Sequence, residues 1–135
     1  GVRTYELATL AAAAAVKSPH CLMAHGRKAL RAGAFDEDEL ERVARDFEQA
    51  ELSEADLAVM RYATRLSTDA DAMTDRDSQS LRDVGFTDRQ IVDITLAAAA
   101  RNYFSRALQA LAVPVEEMAG LSPRLTDALL SRLSR

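Results

Sequence analysis

A series of helix-start signals punctuates this sequence, and almost nothing in it asks for a strand. Ser18-Pro19 and Ser122-Pro123 each place a side-chain oxygen just before a proline, the order of an N-cap followed by the first helical residue. Ser53 with Asp56, Thr74, and Thr87 with Gln90 repeat the signal, the last as a capping box. β-branched runs are few, and no Asn-Gly or Asp-Gly hairpin turn occurs. The fold class is therefore all-α, a compact bundle of about six to seven helices in one domain over residues 1–135.

The caps divide the chain. Arg3 to Lys17, rich in Ala and Leu, predicts a largely buried helix that stops because Pro19 pushes Ser18 out of the helical region. A second helix runs from Pro19 to about Ala32, with Gly33 as its stop. Asp36 to Ala50 predicts a third, with Leu40, Val43 and Phe47 on one stripe. Ser53 to Leu66 predicts a fourth, and Thr74 to Gly85 a short fifth. A long sixth runs from Thr87 to about Ala112, with Ile91, Ile94 and Ala98 at helical spacing. A last helix spans about residues 122–133.

Composition narrows the function. Apolar residues make up 48% of the 135, but aromatics only 5% with no Trp, so the core is expected to be Ala/Leu helix on helix. A formal charge of −4 argues against nucleic acid or an anionic membrane as the main partner. The longest apolar run, Leu7 to Val16, is too short to span a bilayer and lacks the basic flank of a signal peptide. A single cysteine rules out an internal disulfide and suits a reducing, cytoplasmic setting. Gly1 stands where Met is usual and helical pattern begins at once, which reads as a processed or trimmed chain or a leftover leading residue.

That cysteine, Cys21, falls in the first turn of the second helix, with His25 four residues on and on the same face. The positive end of the helix dipole and a neighbouring base both favour the reactive thiolate. Glu6 lies on the preceding helix. If the two helices form an antiparallel hairpin, Glu6 faces the Cys/His turn, and the three groups make a proton relay. Bland readings stand beside this one: an inert core cysteine, a surface histidine, an exposed terminal glutamate. A Cys-x-x-x-His metal half-site would need carboxylates to complete it.

At these residues the chain resembles a known family. Glu6, then Ser18, Cys21 and His25, match the Glu…Cys-x-x-Cys-x-x-x-His signature of alkylhydroperoxidase D-like proteins, except at the first cysteine. These belong to the carboxymuconolactone decarboxylase-like superfamily. Leu52-Ser53-Glu54-Ala55-Asp56 with Met60-Arg61-Tyr62-Ala63, and the stretch Leu81 to Ile94, are similar to further family segments. Asn102-Tyr103-Phe104-Ser105-Arg106-Ala107-Leu108 followed by Leu111-Ala112-Val113-Pro114 resembles the peroxidase-related branch. The likeness covers about residues 3–116.

The resemblance implies reduction of small hydroperoxides by a cysteine pair, with the Glu and His activating the second cysteine; no cofactor or metal is expected. It also implies self-association as dimers, trimers or hexamers. By position, Cys21 is the peroxide-attacking thiolate, His25 its base through a water, and Glu6 the end of the relay. Ser18 takes the place of the first cysteine. It is expected to cap the helix and to donate a hydrogen bond to the thiolate, but it cannot resolve a sulfenic acid. The cycle then needs an external thiol or a cysteine from another chain. Alternatively the pocket does non-redox acid–base work, as the decarboxylases do, or the chain is a non-catalytic helical assembly protein. His20, inside the motif, is expected to point to solvent or to add a second titrating group beside Cys21. Asn102 to Phe104 are expected to serve packing and subunit contact.

Overall fold

The caps legible in the sequence are the caps of the fold. The computed structural model describes residues 1–134, and the described residues form seven α-helices with short 3-10 turns and no strand. They are α1 (Val2–Ala15), α2 (Pro19–Arg31), α3 (Glu37–Arg45), α4 (Glu54–Asp69), α5 (Asp75–Asp83), α6 (Asp88–Ala110) and α7 (Pro123–Leu130). Ser18, Ser53, Thr87 and Ser122 each accept a hydrogen bond from the backbone N–H three residues on, and Thr74 from that two residues on. Thr74 with Asp77 and Thr87 with Gln90 close reciprocal capping boxes. Each cap contributes about 1 kcal/mol by pairing donors that helix geometry orphans.

Boundaries shift where local chemistry competes. The expected helix over residues 36–50 breaks at Asp46. This residue is extended, and its side chain accepts from the Glu48 N–H at 3.0 Å to start a 3-10 turn. Phe47 still packs against the core, but from that turn. α4 runs past Leu66 to Asp69, and in its last turn the Ser67 and Thr68 hydroxyls donate to carbonyls four residues earlier. α6 stops two residues short of Ala112, which adopts φ 50° beyond the Leu111 cap.

α1 occupies the centre and packs on α4, α6 and α2, while α7 closes the far side over α3 and α2. Glu6 to Ala13 are buried without interruption, so the Ala-rich helix is apolar nearly all round and its neighbours approach closely. Leu7, Leu40, Val59, Leu81 and Leu125 are sealed from solvent, each burial contributing about 1.5–3 kcal/mol. Gly26 lets α7 press onto α2: a Cβ there would lie 2.7 Å from Leu129 Cδ1. No helix is long and apolar enough to cross a membrane, among the described residues.

The α1–α2 connection positions the site. Ser18 N–H bonds to the Ala13 carbonyl at 2.9 Å and Lys17 N–H to that of Ala14 at 3.1 Å. This paired closure is usually completed by glycine. Here Lys17 takes the left-handed conformation, with φ 57°. The chain therefore turns back at once, and α2 runs beside α1. Gln109 of α6 clamps the turn by donating to the Val16 and Lys17 carbonyls.

Candidate active site

The tight α1–α2 turn brings Glu6 and His25 together. His25 Nδ1 lies 3.0 Å from Glu6 Oε2, and both side chains are at least 95% buried. The other ring nitrogen, Nε2, lies 2.9 Å from an Nη1 of Arg101 on α6. A guanidinium has donors and no lone pair to accept with. Nε2 must then be the acceptor, and Nδ1 carries the proton and donates to the Glu6 carboxylate. A neutral imidazole thus bridges a buried anion and a cation, with its tautomer fixed by both neighbours. The Tyr5 ring leans over His25, tilted 58° at 6.1 Å between centroids.

Cys21 is in the first turn of α2, 2% exposed. Its backbone N–H donates to Ser18 Oγ at 3.3 Å, so Ser18 caps the helix as expected. The expected hydroxyl donor to the sulfur, however, is not Ser18. Ser105 of α6 fills that role, its Oγ 3.0 Å from Cys21 Sγ. The reason is geometric: an N-cap oxygen points along the helix axis at the backbone amides, while the thiol projects sideways toward α6. Cys21 and His25 line one cavity of about 750 Å³. With the thiol bonded to Ser105 and the imidazole held on both nitrogens, the base lies beside the thiol without bonding to it.

Arg101 and Ser105 are remote from the signature, and although Ser105 falls within the Asn102 to Leu108 segment, that likeness assigns it no role. A signal did exist. Ile91, Ile94 and Ala98 form the buried stripe of α6, and continuing that rhythm reaches Arg101 and Ser105. Polar residues at core-facing positions mark the site. Asn102 matches its expected packing role, donating to Ser67 Oγ on α4 at 2.9 Å. Tyr103 faces outward, 83% exposed.

His20 neither points freely to solvent nor bonds to Cys21. Its Nε2–H donates to the Pro114 carbonyl at 3.0 Å, tying α2 to the segment after α6, and its Nδ1 is buried without a partner among the described residues. Residues 113–119 of that segment form the outer wall of the cavity. No group of three or more His, Cys, Asp or Glu side chains is arranged to hold a metal, among the described residues.

No curated protein matches the chain. A family model does: residues 1–65, which carry Glu6, Ser18, Cys21 and His25, match that of the carboxymuconolactone decarboxylase family. Over these residues, just under half of the chain, the protein is similar to the carboxymuconolactone decarboxylase family, of the alkylhydroperoxidase D-like superfamily that includes both peroxidase-like and decarboxylase-like members.

Proposed function

We propose that this protein reduces small hydroperoxides, with Cys21 as the attacking thiolate and an external thiol as reductant. The observation that carries the reading is the surroundings of the sulfur: a helix first turn, a Ser105 hydroxyl at 3.0 Å, and a shared cavity with His25. A hydroxyl donating to sulfur stabilises the thiolate more than the thiol.

The steps balance. His25 Nε2, once Arg101 moves aside, takes the Cys21 proton through a water, and the Glu6 carboxylate stabilises the imidazolium. The thiolate attacks the terminal oxygen of R–O–O–H, and the O–O bond breaks. The leaving alkoxide takes the proton from His25, giving an alcohol and Cys21 sulfenic acid. A small thiol condenses with the sulfenic acid, releasing water and forming a mixed disulfide. A second thiol displaces Cys21 and leaves as the oxidised disulfide. Ser18, without sulfur, supports the cap and not the resolution. Such a cycle fits a reducing, cytoplasmic setting.

The test is intact-mass measurement after limiting peroxide with a sulfenic-acid trap. One trapped adduct at Cys21, absent in Cys21→Ser and slowed in His25→Ala, is the expected result. An unreactive Cys21 in the wild-type protein overturns it.

A second reading draws on the Glu6–His25–Arg101 chain. Such a chain suits non-redox acid–base work, in which Nε2 takes a proton from a lactone or keto-acid substrate. Turnover of such a substrate retained in Cys21→Ala would select this reading.

We also propose that the chain works as a homo-oligomer. Val92, Leu96 and Tyr103, exposed along one face of α6, offer an apolar stripe suited to a second copy. Sedimentation of wild type against Leu96→Glu with Tyr103→Ser tests it. Dissociation to monomer is expected, and an already monomeric wild type overturns it.

A further inference from the structure

Four buried side-chain polar atoms lack a hydrogen-bond partner among the described residues, and three of them belong to residues that line the Cys21 cavity: His20 Nδ1, Arg27 Nε and Arg101 Nε. Buried donors are nearly always paired, so such a cluster marks a place where a partner is missing. Two of the three are guanidinium donors. Arg101 meets an uncharged imidazole where Arg3, Arg61, Arg82 and Arg124 meet carboxylates. Neither Arg27 nor Arg101 forms an ion pair among the described residues. Among the described residues Arg27 donates only to the Ala119 carbonyl, at 3.2 Å. Lys28 stands at the same rim. The acidic groups on the cavity wall are Glu116 and Glu117, both exposed on the outer segment and paired with none of these cations. In a chain of net charge −4, this concentration of unpaired positive charge around one cavity is local and specific.

The rest of the wall is apolar. Met23, Phe104, Leu108 and Val113 line it, and the Arg101 guanidinium lies over the Phe104 ring at 5.6 Å. The volume of about 750 Å³ suits a small organic ligand. We propose that Arg101, with Arg27, binds the carboxylate of an amphipathic monocarboxylate ligand whose apolar part lies along Met23, Phe104 and Leu108. A carboxylate offers guanidinium a charged, forked acceptor that a neutral imidazole nitrogen cannot match. Its arrival draws Arg101 from His25 Nε2 and frees that lone pair. Arg101 is thus a specificity-determining residue, and substrate entry and release of the base are one event. The inference rests on this cavity being the substrate site, and it narrows the substrate to acids.

The test uses binding and not turnover. Decanoate, methyl decanoate and decanol are titrated by calorimetry into wild type, Arg101→Gln, Arg101→Lys and Arg27→Gln, with melting curves as folding controls. Decanoate is expected to bind wild type about tenfold to a hundredfold more tightly than the two neutral probes. The preference should vanish in Arg101→Gln, weaken in Arg27→Gln and partly survive in Arg101→Lys. Side-chain ¹⁵N spectra should show His25 Nε2 shifting when decanoate binds and holding still with decanol. Equal binding of all three probes by wild type, which needs no variant, overturns the proposal, as does a preference that survives in Arg101→Gln. The two readings fail separately: a selective cavity with an unoxidisable Cys21 removes the peroxidase proposal alone, and a reactive Cys21 without acid preference removes this one alone.

Discussion

Arg3 and Arg101 are built alike and employed differently. Each guanidinium lies over a phenylalanine ring, Arg3 over Phe35 at 4.8 Å and Arg101 over Phe104 at 5.6 Å. Each ties α1 or α2 to a distant part of the chain. Arg3 is saturated: it bonds to Glu39, to Asp56 at 3.0 Å and to the Ala34 carbonyl at 2.9 Å. Those bonds, that to Glu39 foremost, raise its pKa above the ordinary arginine value. Arg101 bonds to a neutral ring and keeps a buried N–H unpaired. A cation whose partners are complete holds a fold together. A cation left incomplete beside a cavity is available to something else.

Substitutions break the comparison in order of size. Cys21→Ser should abolish sulfenic-acid trapping altogether while leaving the melting temperature nearly unchanged, checked by intact mass and calorimetry. Arg3→Leu should cost about 1–2 kcal/mol in urea unfolding. It strands two partly buried carboxylates, but the pair's value is reduced because the Arg3 side chain is itself 36% exposed. Arg101→Leu should cost less than Arg3→Leu or raise stability, since it strands no carboxylate. A larger loss for Arg101 than for Arg3 would invert the contrast. Ser105→Ala should slow peroxide oxidation of Cys21 by about tenfold, the value of one hydrogen bond to a charged sulfur, measured by stopped-flow trapping.

The smallest effect belongs to the surface. Arg61 donates to both Glu48 oxygens, at 2.8 and 2.6 Å, and these bonds hold the Glu48 carboxyl below its ordinary range. A carboxyl depressed in the folded state adds stability above its unfolded value and loses it as pH falls through the folded one. Glu48→Gln should therefore melt slightly below wild type at neutral pH. The two curves should converge in acid, below the ordinary carboxylate range. A gap that widens toward acid would contradict the pairing.

Much of the fold was legible because caps are local. Ser18, Ser53, Thr74, Thr87 and Ser122 declare helix starts from a few residues of context. The break at Asp46 is not legible in the sequence, because its side chain competes with the helix for the backbone, and a stripe of Leu40, Val43 and Phe47 does not reveal that competition. The site was half legible for a related reason. Glu6, Ser18, Cys21 and His25 fall on two consecutive helices, and their spacing holds the information. Arg101 and Ser105 come from α6, and which helix packs over the thiol is a tertiary fact that no spacing within the motif encodes. Only their place on the buried stripe of α6 betrays them.

That division has a consequence for how the molecule assembles in time. The Glu6–His25 bond joins residues 19 apart, within one helical hairpin, whereas His25–Arg101 spans 76 residues and Cys21–Ser105 spans 84. Local contacts form early and cheaply, and distant ones wait for the loop between them to close. The acidic and imidazole half of the site is therefore expected to form first, within the N-terminal hairpin. The guanidinium and hydroxyl half arrives last, with the docking of α6, so the appearance of a structured thiol during refolding should mark the end of folding rather than its beginning.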